Sequence, residues 1–458
     1  MFLFQNIFEN NYFINVLPKI LKAPLLVFKL MLDIKFIKSN PEVVKNNLKN
    51  RNQIEKIKWI DEIIKNHDSS IKIKKELDYS RHRRNILSEE INLLKKEGKD
   101  ISDKIKEIKE LPHKIKELEE SYNHLEHDVN EKLSNLPNIL DKSVPVGKDE
   151  KDNKTIKVFG KIPKFKFIPK DHTDLALALN ILDLEKASKV AGARFYYLKN
   201  ELVKLNQALL NFALDHLIKK KFNLMQPPYM LRKSALSGAI TFSTFEDTIY
   251  KIDNEDLYLI GTAEHALNAY HSNDILNEQE LPIRFAGISP CFRKEAGAHG
   301  KDTKGIFRVH QFEKIEQFVF CTPAQAEKEY SLILKNLEEI YKALKLPYRL
   351  SLLCSADTGN VAAKTIDLEA WFPAQKTYRE LASCSNCKDF QARRSNIKYK
   401  TKNNETEFVF TLNNTALAVQ RTIACILENF QQKDGSIKIP KVLHKYTSFK
   451  EIKAVKKK

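Results

Sequence analysis

The N-terminal third of the chain carries a long run of helical apolar spacing. From Ile101 to Leu136, apolar residues recur mostly at alternating steps of four and three, which is the spacing of a coiled-coil seam. A looser stripe precedes it from Ile57 to Leu94, and Gly98 lies between the two segments. The pattern predicts two antiparallel helices joined at KKEGKD (95–100), each of about 40 residues and roughly 60 Å long. Pro112 falls inside the second helix and predicts a kink or local unwinding there.

Basic residues are concentrated on this predicted arm. The whole chain has a formal net charge of +18 and a pI near 9.3, which favours a polyanion such as nucleic acid as a partner. The basic residues are typical of a solvated coiled-coil surface, and as a set they also suit a track for phosphates, whose neutralisation releases counterions. They are Lys72, Lys74, Lys75, Arg81, Arg83, Arg84, Lys95, Lys96 and Lys99.

The remainder of the chain mixes helical and strand-like segments. Residues 201–222 have helical character, whereas DLYLIGTAEHAL and FVFTLNNT resemble strands, without a regular strand–helix repeat. This indicates an α+β fold, in a chain long enough for two or three domains. Residues 136–153 contain two prolines and a charged turn and are typical of a linker. We therefore expect an N-terminal domain over residues 31–150, with its arm at 55–136, and a second domain over 151–458.

Residues 1–30 differ in character from the remainder of the chain. Pro18, Lys19, Lys22 and Pro24 interrupt the apolar runs, so no stretch reaches the roughly 18 to 20 residues that span a bilayer. The segment lacks the basic start and cleavage site of a secretory signal and the arginines of a mitochondrial presequence. This favours Met31 as the natural start and leaves residues 1–30 as an N-terminal extension. A weak interfacial membrane helix is the alternative.

Six cysteines in a chain without a secretory signal indicate a reducing cytoplasm. Cys384 and Cys387 form a CxxC in SCSNC. A structural zinc site would need a second pair or histidines at suitable spacing, and none is evident in the sequence. We expect no zinc, no membrane association and a cytoplasmic location.

A polar hairpin contains the first group of candidate site residues. RFAGISPCFRKE (284–295) is followed by a loop with three glycines and then by IFRVHQFEKIEQFVF (306–320). Because strand side chains alternate between faces, Arg293 and Glu295 share one face of the first arm, while Arg308, Phe312 and Glu316 share one parity on the second. Taken alone, this pattern is as typical of a half-exposed hairpin with a charged face as of a ligand site.

Three further segments combine residue types that can carry chemistry. GTAEHAL places a hydroxyl and a carboxylate at the same parity, YRELAS places a carboxylate three residues before a hydroxyl, and TLNNTALAVQR runs from a polar strand into a helix with an early arginine. These side chains are Thr262, Glu264, Glu380, Ser383, Asn413, Thr415 and Arg421.

Taken in order, these segments resemble the motifs of seryl-tRNA synthetases, which are class II aminoacyl-tRNA synthetases with an N-terminal tRNA-binding coiled coil. FNLMQPPYM is similar to motif 1, FRKEAGAHGKDTKGIFRVHQF to motif 2 and NNTALAVQR to motif 3. The residues of these motifs are most like those of archaeal members of the bacterial-type group. The resemblance extends from Met31 to near Lys450. It implies an α+β, antiparallel-sheet class II catalytic domain with an N-terminal antiparallel helical coiled-coil arm.

The resemblance also implies an activity and a set of ligands. Serine–tRNA ligases convert ATP and L-serine to seryl-adenylate and transfer serine to tRNA(Ser), and to tRNA(Sec) where the host has one. A homodimer and Mg²⁺ bound with ATP are implied as well. Arg293 and Arg421 would be catalytic, and Arg293 would neutralise charge on the α-phosphate during attack by the serine carboxylate. Phe312 would stack on adenine, and Glu316 would bind the α-ammonium group of serine.

The residues implied by the resemblance form four sets. The ATP-binding set is Arg293, Lys294, Glu295, Arg308, Val309, Phe312, Glu380, Leu381, Ala382, Ser383 and Arg421. The L-serine set is Thr262, Ala263, Glu264, Arg293, Glu316 and Thr415. The Mg²⁺ ligands are Glu380 and Ser383, which offer the hard oxygens that this ion prefers. The tRNA contacts are Arg81, Arg83, Arg84, Lys95 and Lys96.

Two departures and two alternatives accompany this interpretation. Lys221 stands where motif 1 usually has glycine, and motif 3 is glycine-poor because of Asn414, Ala416 and Gln420. An amino acid:carrier-protein ligase is one alternative, although such relatives lack the arm. A non-catalytic tRNA-binding paralogue is the other, and the intact Arg293, Glu316 and Arg421 argue against it.

Overall fold

A computed structural model describes residues 33–241, 246–295 and 304–455. The N-terminal extension, the expected start at Met31 and most of the glycine-containing loop of the hairpin lie outside the described residues. None of the helices in the described ranges is long and apolar enough to cross a lipid bilayer.

Two long helices form the arm expected from the apolar spacing. They are α3 (Ile57–Lys96) and α4 (Ser102–Asn135), and the turn between them contains Gly98 in a left-handed conformation. Hydrogen bonds between the helices, such as Ser70 to Glu126 and Arg83 to Glu107, show that the helices are antiparallel. The two short helices α1 (Ile34–Ser39) and α2 (Pro41–Asn50) pack at the base of the arm. The predicted pair of helices and their junction are confirmed.

The apolar seam of the arm consists of two separate clusters. The base cluster contains Ile37, Val44, Leu48, Ile60, Ile63, Val129, Leu133 and Leu136. The mid-arm cluster contains Leu77, Leu87, Leu111 and Ile115. Helix α4 runs without interruption through Pro112. Of the two expected effects, a kink or a local unwinding, the unwinding is therefore wrong. Leu111 and Ile115, the neighbours of this proline, are buried against α3, and this tertiary packing offsets the missing backbone hydrogen bond.

The apolar stripe expected on α3 is only partly correct. Ile60 is buried as expected, but Ile71 is 42% exposed. The neighbouring seam position is Ser70, whose hydroxyl donates a hydrogen bond to Glu126 at 3.0 Å. Successive residues on a helix point about 100° apart, so following isoleucine alone selected the wrong side of the helix at this level. Ser80 likewise occupies a buried position.

The C-terminal part of the chain contains all the strands and nine helices of the described residues. The strands are β1 (Lys154–Phe159), β2 (Leu182–Asp183), β3 (Tyr197–Leu198), β4 (Asn223–Met225), β5 (Met230–Leu231), β6 (Tyr258–Leu259), β7 (Ile275–Asn277), β8 (Ile283–Phe292), β9 (Gln311–Cys321), β10 (Tyr348–Leu352), β11 (Lys364–Phe372), β12 (Thr377–Lys388), β13 (Lys398–Lys400), β14 (Thr406–Phe408), β15 (Phe410–Ala418), β16 (Ile437–Lys438) and β17 (Glu451–Ile452). The helices are α5 (His172–Ala178), α6 (Glu185–Ala191), α7 (Glu201–Lys219), α8 (Lys233–Ala239), α9 (Ala263–Ala269), α10 (Ala326–Ala343), α11 (Phe390–Ser395), α12 (Val419–Asn429) and α13 (His444–Thr447).

One eight-stranded sheet organises this domain, in the order β1-β10-β11-β12-β15-β9-β8-β4. All neighbours are antiparallel except β4, which pairs parallel to β8 at one edge. Helices α7, α10 and α12 contribute to the large apolar core on one face. Helix α9 packs with Phe285, Phe318 and Phe320 on the opposite face. The α+β class with an antiparallel sheet and an N-terminal helical arm is confirmed.

Candidate active site

The predicted hairpin is formed by β8 and β9. The two strands pair in continuous register from Ile283 opposite Phe320 to Phe292 opposite Gln311. The strands end earlier than the sequence suggested, because Arg293 to Glu295 and residues 306–310 have no strand conformation. The backbones nevertheless stay joined, since the Arg293 amide donates to the His310 carbonyl at 2.9 Å. The arginine side chains therefore project from the rim of the sheet.

Arg293 is held between α9 and the hairpin. Its Nε donates to the carbonyl of Gly261 at 3.2 Å, and its guanidinium carbon lies 5.4 Å from the centre of the Phe312 ring. An aromatic face attracts a cation at this distance. The contacts orient the guanidinium and leave donors for an incoming anion, because an arginine has five N–H groups.

Two further arginines, Arg308 and Arg421, lie beside acidic and aromatic residues. Arg308 donates to Glu295 at 3.2 Å. Arg421 lies 5.1 Å from the centre of the Phe307 ring and donates to the backbone carbonyl of Glu380 at 3.1 Å. These side chains open onto a cleft of about 790 Å³. Its lining includes Phe307, Arg308, Arg349, Asp367, Glu369, Tyr378, Arg379, Glu380, Ser383 and Arg421.

Glu380 and Ser383 reach the same cleft because β12 is irregular. Residues three apart on a regular strand would point to opposite faces. Here the register against β11 shifts between Leu368 and Glu369, and Leu381 and Ala382 are both buried. This β-bulge turns the carboxylate and the hydroxyl to one side, as bulges beside active sites often do.

An acidic corner lies next to the bulge. Ser383 donates its hydroxyl hydrogen to Asp367 on β11. Burial, followed by repulsion from Glu380, raises the pKa of Asp367 well above its usual range. Burial also acts to raise the pKa of Glu380, but Arg421 and Arg293 outweigh it and the pKa is lowered. Glu380 is exposed and Asp367 is half-buried, and a cation would relieve the repulsion between their neighbouring carboxylates.

The acidic corner offers hard oxygen donors that fit Mg²⁺. This ion commonly uses one or two carboxylates plus substrate phosphates, with no dedicated protein cage. In keeping with that pattern, the described ranges contain no cluster of three or more His, Cys, Asp or Glu residues able to hold a metal. Glu380, Ser383 and Asp367 are the residues that could hold the ion together with phosphate oxygens.

A smaller cleft of about 490 Å³ adjoins the first. Leu353, Asp357 and Ser383 line both spaces, so the two clefts meet at these residues. The smaller cleft is also lined by Thr262, Glu264, His265, Arg293, Ser385 and Asn413. It is therefore a polar recess that opens onto the arginine-lined space.

Glu316 is a fully buried carboxylate with one oxygen left over. Its Oε1 accepts hydrogen bonds from Thr262 at 2.9 Å and from Thr415 at 3.0 Å, and it also pairs with Lys314. Its Oε2 has no hydrogen-bond partner among the described residues. A buried polar atom without a partner is costly, so Oε2 is available as a hydrogen-bond acceptor for a ligand.

Glu264 lies at the start of α9 and faces the smaller cleft. Gln391 and Asn413 donate to its two oxygens at 2.8 and 3.1 Å. Burial, reinforced by the charge of Glu316, raises the pKa of Glu264 to about 7. Helix α9 packs directly against β8 at Gly287. A Cβ added there would lie only 2.7 Å from Leu267 and 3.0 Å from Ala263.

The structure brings together the polar side chains that the sequence singled out in the catalytic domain. Three other members of the predicted sets are buried and line neither cleft: Ala263, Leu381 and Ala382. Val309 is also buried but lines a small pocket together with Phe312. Lys294 lies 5.9 Å from the centre of the Tyr250 ring. On the arm, Arg81 and Arg83 are bonded to Glu119 and Glu107, whereas Arg84 is exposed.

Sequence reasoning missed several residues of the site. Asp367 and Glu369 were overlooked, although their alternation with Ile366, Leu368 and Ala370 in TIDLEA is a strand signal that could have found them. Lys314 has the same parity as Glu316 and was also missed. Gln391 lies far along the chain from Glu264, and no local pattern pointed to it.

Comparisons with known proteins support one family. Residues 31–140 match the family "Seryl-tRNA synthetase N-terminal domain", and residues 244–430 match "tRNA synthetase class II core domain (G, H, P, S and T)". The serine–tRNA ligase of Pyrococcus horikoshii is 48% identical over 450 residues, covering 93% of this chain and 99% of the relative. The serine–tRNA ligase of Nitrosopumilus maritimus is 48% identical over 418 residues, covering 91% and 98%.

A solved structure agrees with the sequence relatives. The crystal structure of seryl-tRNA synthetase from Pyrococcus horikoshii complexed with ATP is 47% identical, with a TM-score of 0.86 over 93% of this chain and 100% of that one. Two family matches, near-complete coverage of close relatives and the same fold all agree. The chain therefore belongs to the seryl-tRNA synthetases, a family of class II aminoacyl-tRNA synthetases.

Proposed function

We propose that this protein is a serine–tRNA ligase that forms seryl-adenylate from ATP and L-serine and then transfers serine to tRNA(Ser). The observation that carries the proposal is the pair of joined clefts. The smaller cleft is lined by Thr262, which donates a hydrogen bond to the buried carboxylate of Glu316, and Glu316 Oε2 has no partner among the described residues. The larger cleft is lined by Arg308, Arg379 and Arg421. An amino acid and a nucleotide triphosphate would lie with their reacting groups at the junction.

The α-ammonium group of serine would occupy the smaller cleft. Glu316 Oε2 would accept a charge-assisted hydrogen bond from it. Glu264 and Asn413 lie near enough to each other to bind the side-chain hydroxyl between them. Threonine would then be rejected by size, and alanine because it would leave buried polar groups unpaired.

ATP would occupy the larger cleft. Phe312 lines a small pocket that shares Phe307, Arg308 and Arg421 with this cleft, and its ring would stack on adenine. Arg308 and Arg421 would bind the outer phosphates. Arg293 borders the smaller cleft and would neutralise charge on the α-phosphate as the serine carboxylate attacks and pyrophosphate leaves. No side chain has to act as a nucleophile, because the protein supplies position and charge.

Class II synthetases generally use Mg²⁺ with ATP. In this chain Glu380, Ser383 and Asp367 are the proposed ligands, together with phosphate oxygens. The bound ion would neutralise phosphate charge and favour departure of pyrophosphate. Arg421 would help to keep the Glu380 carboxylate ionised and available, since the two side chains lie 3.3 Å apart.

The arm is proposed to bind tRNA through its backbone and shape, with Arg84, Lys95 and Lys96 among the contacts. In this division of labour, residues 31–150 bind tRNA and residues 151–458 catalyse both steps. The same recognition would extend to tRNA(Sec) where the host has one. The six free, buried cysteines suit a reducing compartment and support a cytoplasmic location.

A homodimer is also proposed. The motif 1 region carries exposed apolar side chains on α7, at the sheet edge strand β4 and on β5: Val203, Ile218, Leu224 and Met230. Association of two copies through this region would bury these side chains. The arm of one subunit could then deliver tRNA to the catalytic site of its partner.

Pyrophosphate exchange into ATP tests the proposal, with each amino acid supplied separately. Exchange that depends on serine alone is expected. Exchange with glycine or alanine would instead support a carrier-protein ligase, and no exchange with any amino acid would support a non-catalytic tRNA-binding paralogue. Charging of tRNA(Ser) transcripts would then test the second step.

A further inference from the structure

A buried arginine of the N-terminal domain binds a loop of the catalytic domain. Arg51 follows helix α2 and is only 4% exposed. Its Nη1 donates to the carbonyls of Thr358 at 2.7 Å and Gly359 at 3.2 Å. Its Nη2 donates to the carbonyl of Ala362 at 2.7 Å. The three acceptors belong to residues 353–362, which we call the wall loop.

Other residues at the base of the arm bind the same loop. The backbone N–H of Asn138 donates to the backbone carbonyl of Asn360 at 2.7 Å, and the side-chain amide of Asn138 donates to the Val361 carbonyl at 3.0 Å. Gln53 donates to the side chain of Asn360 at 2.7 Å. The backbone carbonyls of residues 358–362 are therefore all satisfied from the N-terminal domain.

The wall loop is also one side of the smaller cleft. Leu353, Asp357, Gly359, Asn360, Val361 and Ala362 line that cleft. Across it lie Thr262, Glu264 and Asn413, which are the polar groups proposed to bind serine. The carbonyls that Arg51 holds thus come from the backbone that forms the boundary of the amino-acid space.

The chemistry of Arg51 is unusual for a purely structural contact. Burial lowers the pKa of its guanidinium to about 10, and in the described ranges no carboxylate forms an ion pair with it. A buried charge without a counterion is expensive, and backbone carbonyls must compensate for it. A planar fork with fixed donor directions can hold several carbonyls in one arrangement, which a flexible lysine cannot do.

We propose that Arg51 is a positioning residue for the amino-acid cleft, which holds the wall loop in the conformation that binds serine. This inference rests on the proposed function for the identity of the ligand. Arg51 touches no substrate in this arrangement and acts through the backbone of residues 358–362. Its loss should therefore affect serine more than ATP.

Kinetics of full-length variants test this role. Arg51→Met is expected to raise the serine KM by about tenfold or more in pyrophosphate exchange, while the ATP KM stays within about twofold. Arg51→Lys should give an intermediate serine KM, because lysine keeps the positive charge but lacks the planar guanidinium group with its fixed donors. Leu48→Ala is the matched control, since Leu48 lies in helix α2, three residues before Arg51, and belongs to the base cluster. It should lower the thermal midpoint and leave the serine KM within about twofold.

Amide hydrogen exchange of the ligand-free proteins gives a readout that needs no activity. Exchange at 353–362 should be faster in Arg51→Met than in the wild type and unchanged in Leu48→Ala. Equal serine KM values in the wild type and both Arg51 variants would overturn the proposal, as would an equal rise in the ATP KM or the same effect from Leu48→Ala. A wild-type protein without serine-dependent exchange would refute the proposed function, while hydrogen exchange would still decide whether Arg51 holds the loop.

Discussion

The carboxylate of Glu316 shows how one residue can define a site. Its Oε1 is used by two threonines and a lysine, while Oε2 has no partner among the described residues. The contacts fix the orientation of the carboxylate through one oxygen, and in the proposed function the other oxygen accepts a hydrogen bond from the serine ammonium group. Preorganisation of this kind lets binding proceed without rearrangement of the site.

Replacing Glu316 by glutamine should impair serine binding selectively. The change keeps the shape and removes the charge that would bind the ammonium group, so the serine KM should rise by about tenfold to hundredfold. The ATP KM should change by less than about threefold. Glu313→Gln, the same substitution on the opposite face of β9, is the control. A larger effect on ATP than on serine would remove Glu316 from the amino-acid site.

Glu264 predicts a pH dependence near neutrality. Its pKa is raised to about 7, so the side chain is mostly protonated at pH 6 and ionised at pH 8. Both oxygens accept hydrogen bonds from amide donors, and the serine ammonium also favours an anion. We expect kcat/KM for serine to increase from pH 6 to 8 in pyrophosphate exchange. Glu264→Gln should flatten that increase, and an unchanged slope in the variant would assign it to another group.

Lys221 gives a stability prediction. It precedes Phe222 in the motif 1 segment, and its φ is +63°. This left-handed conformation is unfavourable for side chains with a Cβ. Lys221→Gly should therefore raise the free energy of unfolding by about 1 kcal/mol. Lys219→Gly, at the last residue of α7, should lower it by a similar amount. Urea denaturation would compare the two, and a loss of stability in both would show that Lys221 is not strained.

At the scale of single elements, the arm separates its basic residues into two groups. Arg81 and Arg83 are engaged by Glu119 and Glu107 across the helix pair, with Arg83 making two hydrogen bonds of 2.7 and 2.9 Å. Among the described residues, the Arg84 guanidinium makes one hydrogen bond, to the side chain of Asn85 at 3.5 Å. Such surface pairs contribute little to stability individually, but they restrain the direction in which a guanidinium points. Arg84 is therefore the better candidate for a phosphate contact.

Arg84→Ala should weaken tRNA binding without altering the arm. Loss of one phosphate contact should reduce the slope of log K against log salt by about one. Arg83→Ala should have a smaller effect on that slope, because its guanidinium already binds Glu107. Binding would be measured by filter retention at several salt concentrations, with Lys433→Ala in the catalytic domain as the control for net charge. A smaller change in slope for Arg84→Ala than for Arg83→Ala would contradict the assignment.

Two polar side chains of the motif 3 segment, which spans β15 and the start of α12, form hydrogen bonds in the interior of the domain. Asn414 is fully buried, receives a hydrogen bond from Gln317 and donates one to the Ser383 carbonyl at 3.1 Å. Gln420 is likewise buried and bonds the Glu313 amide and Asn206. These two side chains of motif 3 are thus part of a hydrogen-bonded network behind the site.

At the scale of the whole molecule, the arm and the catalytic domain should be separable in function. The base cluster includes Ile60, Ile63 and Val129, so a deletion must spare them and Arg51. Ser70 and Glu126 face each other across the arm, and a short Gly-Ser link between them could replace residues 71–125. Serine-dependent pyrophosphate exchange should remain within about threefold of wild type, while tRNA charging should fall by at least about a hundredfold.

Parallel measurement of exchange and charging on the arm-deleted protein checks this prediction. Thermal denaturation provides the control for folding, because the base cluster is retained. Equal loss of exchange and charging in a folded variant would refute the division of labour between the two domains.

The sequence by itself determined the local features of this protein. Heptad spacing determined two long helices and their junction, and strand alternation around Arg293 and Glu316 determined a hairpin with a charged face. These features depend on neighbours in the chain, whose side chains follow the helical and strand periods. Ordered motifs then determined the family, because several independent residue combinations occur in the right succession.

Only the tertiary structure decided which groups meet. Glu380 and Ser383 share a cleft because a β-bulge changes the strand parity. Asp367, Gln391 and Arg51 find partners 16, 127 and more than 300 residues away. Ser70, and not Ile71, faces α4 in the seam of the arm, because packing between the two helices decides which side of α3 is buried. Contacts of this kind depend on burial and on chain topology, and no local period encodes them.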